Sequence, residues 1–150
     1  MSTETIQVLI TAVLFLQGVS HARGFVALVK QFSNRSPGPW LPLRSWLFPS
    51  LTMQTAAAVA SIFWLLSAIG FIASSLSFWG FLVPGDFWRQ LAIASAIIST
   101  LGIVLFSGTW PGAPNRSLST ADTVIALILN LAILVALLVM HWPPYAMFGK

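Results

Sequence analysis

No Asp, Glu, Lys or Arg occurs in the 41 residues between Arg44 and Asp86. Soluble domains carry about 25% charged residues, whereas this chain of 150 residues carries 7% and is 57% hydrophobic, with a mean hydropathy of +0.90. One water-soluble core of this size cannot hide so much apolar surface. The chain is therefore expected to fold in a lipid bilayer.

Four segments are long and apolar enough to cross a hydrocarbon core about 30 Å thick. They cover approximately residues 5–30, 52–78, 87–106 and 120–142. Because the apolar runs are continuous rather than alternating, they predict helices and not barrel strands. We predict a single all-α transmembrane domain over residues 1–150, an integral membrane four-helix bundle.

Turn and capping residues indicate where the last two helices begin and end. Pro84 and Gly85 form a turn dipeptide before Asp86, which fits an N-cap. The stretch Ser119-Thr120-Ala121-Asp122 fits the capping-box pattern in its Asp variant. Pro143-Pro144 is expected to end the fourth helix after Trp142.

The first loop, residues 33–50 (SNRSPGPWLPLRSWLFPS), is rich in Pro and Trp. Its prolines forbid a long regular helix, and its aromatic residues alternate with Arg35 and Arg44, so we expect it to lie along the lipid headgroups. We interpret it as a connector at the membrane surface, with a partner-docking surface as the alternative. The predicted interfacial anchors of the whole chain are Arg23, Trp40, Arg44, Trp46, Trp88 and Trp142.

Basic residues near the helix ends predict the orientation of the bundle. One side of the membrane carries Arg23, Lys30, Arg35, Arg44 and Arg116, and the other carries Arg89 and Lys150. Since Lys and Arg accumulate on the cytoplasmic side, both termini are predicted to lie outside the cytoplasm.

The stretch LQGVSHARGF, residues 16–25, places polar side chains inside the first apolar segment. Gln17, Ser20, His21 and Gly24 follow the spacing i, i+3, i+4 and i+7, so they share one helix face. Arg23 points away from that face. Its long stem can carry the guanidinium to the headgroups, which makes it a predicted anchor.

Helical rise predicts a polar layer near the middle of the bilayer. Gln17 and Asn130 reach nearly the same depth when counted from opposite membrane surfaces, and the structural members expected beside them are Ser61, Ser99 and Thr100. An amide left unpaired in lipid costs several kcal/mol, so these groups are predicted to pair with one another. Gln17, Ser20, His21 and Asn130 are the candidate ligand-binding residues, and structural hydrogen bonding is the alternative.

Catalytic and metal-binding patterns do not emerge from the sequence. The acids Glu4, Asp86 and Asp122 all fall at predicted helix ends, there is no Cys, and His21 and His141 are predicted to differ by about 20 Å or more in depth. No cofactor is required, although His21 as a single axial ligand to a porphyrin or chlorin stays open. We expect no enzymatic activity and, with only seven scattered basic residues, no nucleic-acid binding.

The pattern Gln17-Gly18-x-x-His21-x-x-Gly24-Phe25 resembles the first helix of small bacterial four-span membrane proteins of unknown function, whose architecture is similar to that of the DoxX-like group. The resemblance covers about ten residues strongly and the helix layout loosely. It implies a four-helix fold in a bacterial inner membrane, with Gln17, His21 and Gly24 as the shared positions, and it implies no reaction.

Three functions follow as hypotheses. The first is a non-enzymatic accessory or scaffolding subunit that packs against other membrane protein subunits through small-residue and aromatic faces, such as the pairs Ala56/Ala60 and Ala92/Ala96. The second is a binder of a hydrophobic ligand, quinone or pigment through the polar face of the first helix. The third is a small transporter.

Overall fold

A computed structural model describes residues 2–33, 43–82, 87–106 and 110–144. Over these residues the chain forms four α-helices and no strand. They are α1 (Thr3–Ser33), α2 (Met53–Phe78), α3 (Trp88–Leu105) and α4 (Arg116–Leu134), and a π-helical segment, Val135–Val139, continues α4. All four are long and apolar enough to cross a membrane. The predicted all-α four-helix fold is confirmed, and its four spans fit a multi-pass membrane protein.

Successive helices run antiparallel and pack in chain order. Gly18 of α1 lies against Ile72 of α2, whereas Gly24 lies against Trp64, so residue numbers rise on one helix as they fall on the other. The close pairs are α1 with α2, α2 with α3 and α3 with α4, while α1 and α4 stand further apart. We call the end where α1 finishes and α4 begins the loop end, and the opposite end the terminal end.

Small residues allow the first three helices to approach closely. Ala56, Ala57, Ala60, Ala92 and Ala96 are all completely buried within the bundle. A Cβ at Gly24 would overlap Cδ1 of Trp64, so the indole packs directly against the α1 backbone. The small-residue faces are therefore buried in contacts between helices of this chain.

The start of α4 differs from the prediction. Asn115 is the N-cap, and its side chain accepts a hydrogen bond of 2.9 Å from the amide of Leu118. The predicted capping box at Ser119 is wrong, because Ser119 is buried and accepts a hydrogen bond from the Trp110 amide instead. Asn is as good an N-cap as Ser, and the earlier cap lengthens the helix by one turn.

The described part of the first loop, residues 43–50, closes the end of α3. The Ser45 hydroxyl donates to the carbonyl of Leu105 at 2.8 Å, and the Trp46 indole donates to the carbonyl of Val104. These carbonyls belong to the last turn of α3, where no helical partner is available. The rest of the Pro-rich stretch, with Arg35 and Trp40, lies outside the described residues.

The predicted anchors divide into exposed and buried side chains. Arg23, Arg44, Trp46 and Trp142 are exposed, as an interfacial position requires. Trp88 departs from the prediction, because it is 6% exposed and stacks edge-on against Phe78 with ring centroids 4.7 Å apart. Its place at the first turn of α3 turns it toward α2, so it packs in the core.

Candidate functional site

Four polar side chains from three helices form a closed hydrogen-bonded circuit, which we call the polar ring: Gln17, His21, Ser99 and Asn130. Gln17 Nε2 lies 3.1 Å from Asn130 Oδ1, and Asn130 Nδ2 lies 2.7 Å from Ser99 Oγ. Ser99 Oγ lies 2.7 Å from His21 Nε2, and His21 Nδ1 lies 2.8 Å from the main-chain oxygen of Gln17. The circuit thus begins and ends on Gln17.

The direction of the bonds in the polar ring follows from one carbonyl acceptor and a neutral imidazole. A main-chain carbonyl can only accept, so Nδ1 of His21 carries the proton. The neutral imidazole then presents Nε2 as an acceptor, and the Ser99 hydroxyl donates to it. Ser99 in turn accepts from the Asn130 amide, whose oxygen accepts from Gln17. Each side chain donates once within the ring, and all four are at most 4% exposed.

His21 is enclosed by aromatic rings as well as hydrogen bonded. The ring centroids of Trp110, Phe71 and Trp64 lie 5.4, 5.7 and 6.2 Å from that of His21. A porphyrin or chlorin bound axially through His21 would have to displace Ser99 from Nε2. Across the described part of the chain, no three His, Cys, Asp or Glu side chains group as a metal site.

The structure brings together most, but not all, of the residues predicted for the polar layer. Thr100 joins the ring at its edge, since its hydroxyl lies 3.3 Å from Asn130 Nδ2. Ser61 does not join, because its hydroxyl donates to the carbonyl of Ala58 on its own helix. Ser20 lies on α1 beside the ring but lines a separate groove.

A groove of about 700 Å³ opens between α1 and α4 toward the loop end, and we call it the loop-end groove. Ser20, Arg23 and Lys30 come from α1, and Asp122 comes from α4. The turn after α3 closes the groove with residues 110–114, and the buried Trp110 is held there by Ser119. The groove therefore has cations on one wall and a carboxylate on the other.

The charged residues of this groove lie between the polar ring and the loop end. Arg23 is six residues from Gln17 and Asp122 is eight residues from Asn130, which is about 9 Å and about 12 Å along the helices. Charged side chains on the walls of a groove between membrane-spanning helices mark a candidate binding site.

A second groove, of about 300 Å³, lies on the same side of the bundle toward the terminal end. Val13 and Leu129 line it, each seven residues along its helix from Ser20 or Asp122 of the loop-end groove. Seven residues are two helical turns, so the two grooves are stacked along the same faces of α1 and α4. The hydrogen bond between Gln17 and Asn130 separates the two grooves. Their linings differ, because the second groove is apolar throughout.

The sequence predicted a polar layer with Gln17 and Asn130 at one depth, but neither the closed ring nor the loop-end groove. The spacing of Arg23 and Lys30, which are seven residues apart and share a helix face, was the available signal for the groove. Asp122 was interpreted as a capping residue. The separation of α1 from α4, which creates the groove, has no signature in either helix alone.

Comparison with models of protein families, with curated proteins and with solved structures finds no match for this chain. The resemblance to the DoxX-like group stays a prediction.

Proposed function

We propose that this chain is a non-enzymatic integral membrane protein that binds a membrane amphiphile whose headgroup carries an anionic phosphate in the loop-end groove. The observation that carries the proposal is the presence of both Arg23 and Lys30 on one wall of a cavity of about 700 Å³ between α1 and α4. Basic pockets between transmembrane helices are suited to lipid headgroups. The Ser20 hydroxyl adds a hydrogen-bonding group beside them.

The polar ring supports a structural rather than a ligand-binding role for Gln17, His21 and Asn130. Their polar atoms hydrogen bond to one another and to Ser99, so a ligand would gain little by replacing those bonds. This moves the ligand hypothesis from the ring to Ser20 and Arg23, which line the loop-end groove. The same bonds occupy His21 and Asn130, which makes the ring a less suitable path for a transported ion.

An accessory or scaffolding role is less well supported. The small-residue pairs that were expected to contact a partner subunit are buried between α2, α3 and their neighbours within the chain. A partner would have to contact large lipid-facing residues such as Leu66 and Ile128, which are 48% and 61% exposed. Such residues are equally suited to lipid, so they favour no partner.

The proposed location is a bacterial inner membrane, with both termini outside the cytoplasm. Arg23, Lys30, Arg44 and Arg116 belong to the loop end, and the positive-inside tendency places that end in the cytoplasm. The loop-end groove would then draw its ligand from the cytoplasmic leaflet, whose anionic lipids attract basic residues.

Native mass spectrometry of the purified chain tests the proposal. Phosphatidylglycerol is titrated into detergent micelles, and the fraction of protein carrying a bound lipid is measured. Arg23→Gln removes one charged donor to the headgroup and is expected to weaken binding about tenfold. Inorganic phosphate at millimolar concentration is expected not to compete, because it lacks the chains that contact the groove.

Arg116→Gln provides the matched control. Arg116 is exposed at the same end of the bundle but lies outside the lining of the groove, so its substitution is expected to change binding less than twofold. Equal losses in the two variants would mean that lipid is attracted by general surface charge, and the proposed site would be abandoned.

A further inference from the structure

An anionic headgroup does not account for Asp122 in the loop-end groove. Arg23, Asp122 and Lys30 stand about 9, 12 and 20 Å from the polar ring along their helices. The carboxylate on the α4 wall thus lies between the levels of the two cations on the α1 wall. A ligand with negative charge alone would be attracted by the cations and meet repulsion from Asp122.

The chemistry of the Asp122 carboxylate indicates which kind of partner would bind to it. An ionised carboxylate only accepts hydrogen bonds, and the short Asp side chain reaches less far from its helix than an Arg or Lys stem. A carboxylate on the wall of a groove between membrane-spanning helices is stabilised by a nearby cation that also donates hydrogen bonds. A primary ammonium offers a positive charge and three N–H donors in a volume smaller than a guanidinium.

We propose that the headgroup bound in the loop-end groove is zwitterionic, with its phosphate toward Arg23 and Lys30 and its primary ammonium toward Asp122. This is the headgroup chemistry of phosphatidylethanolamine, and the inference rests on the proposed function. Phosphatidylcholine fits less well, because its quaternary ammonium has no N–H to donate. Phosphatidylglycerol keeps the phosphate contacts and leaves Asp122 without a cation.

Competition among three lipids with identical acyl chains tests the inference. The purified full-length chain is titrated in detergent with phosphatidylethanolamine, phosphatidylcholine and phosphatidylglycerol, and bound lipid is counted by native mass spectrometry. The unmodified chain is expected to prefer phosphatidylethanolamine. Asp122→Asn is expected to reduce its preference over phosphatidylglycerol about tenfold, since a charge-assisted hydrogen bond is lost. Glu4→Gln, an exposed acid at the terminal end, is the control and leaves the preference unchanged.

The outcomes separate this inference from the proposed function. An unchanged lipid preference in Asp122→Asn, together with weaker binding in Arg23→Gln, overturns the inference and leaves the anionic site in place. If no lipid binds, or if Arg23→Gln does not weaken the binding, both the inference and the proposed function are overturned. If Asp122→Asn weakens all three lipids equally and lowers the melting temperature in lipid-free detergent, Asp122 acts as a structural partner of the α1 cations, and the inference fails.

Discussion

A single carbonyl oxygen determines how four polar side chains are arranged in the middle of the bundle. Because the main-chain oxygen of Gln17 can only accept, His21 carries a proton on Nδ1, and with a neutral imidazole Ser99 accepts from Asn130 while donating to His21. Ser99 donates and accepts through one atom, whereas His21 and Asn130 use two, and a hydroxyl meets that need. Ser99 therefore has a specific hydrogen-bonding role in the ring, although its side chain is small.

Ser99→Ala is expected to destabilise the protein by about 1–3 kcal/mol, because it leaves His21 Nε2 and the Asn130 amide buried without their partner. The free energy of unfolding in detergent is the measurement. Ser61→Ala is the matched control, since that hydroxyl bonds only to its own helix, and we expect a change within about 0.5 kcal/mol. Similar losses at both positions would show that the ring contributes no more than an ordinary helix hydroxyl.

At the level of helices, the approach of α1 to α2 depends on Gly24. Gly24→Ala would place a methyl group in overlap with Cδ1 of the rigid Trp64 indole, and overpacking of this kind costs about 1–3 kcal/mol. The loss should be smaller when Trp64→Leu removes the ring, which a double-mutant cycle on unfolding free energies measures. Additive effects would contradict a direct contact between these two positions.

The helices themselves were predictable, because their length and hydrophobicity are local properties of the chain. The pairing of Gln17 with Asn130 was also predictable, since helical rise alone puts both near the same depth. The start of α4 was not, because Asn115 and Ser119 are both good caps and the choice depends on Ser119 being recruited by Trp110. Likewise, Ser61 has the right depth for the polar layer but does not lie on the side of α2 that faces the polar ring. Only the packing of the bundle decides which side of α2 faces the ring.

For the molecule as a whole, four spans place both termini on one side of the membrane. The chain has no Cys, so single substitutions give labelling sites without background. With a membrane-impermeant maleimide, Ser2→Cys is expected to react from the outer face of the inner membrane, and Ser117→Cys only after that membrane is broken. Both positions are exposed at opposite ends of the bundle. The reverse pattern would invert the orientation, and labelling of both from one side would contradict the number of spans.

The closed circuit through Gln17 also has an electrical consequence. Its amide, hydroxyl and imidazole dipoles follow one another head to tail and return to their starting residue, so their vectors largely cancel. Neighbouring bonds in such a loop polarise each other favourably, yet little net field extends into the surrounding hydrocarbon. We therefore expect the centre of this bundle to attract ions only weakly, although it is polar in composition.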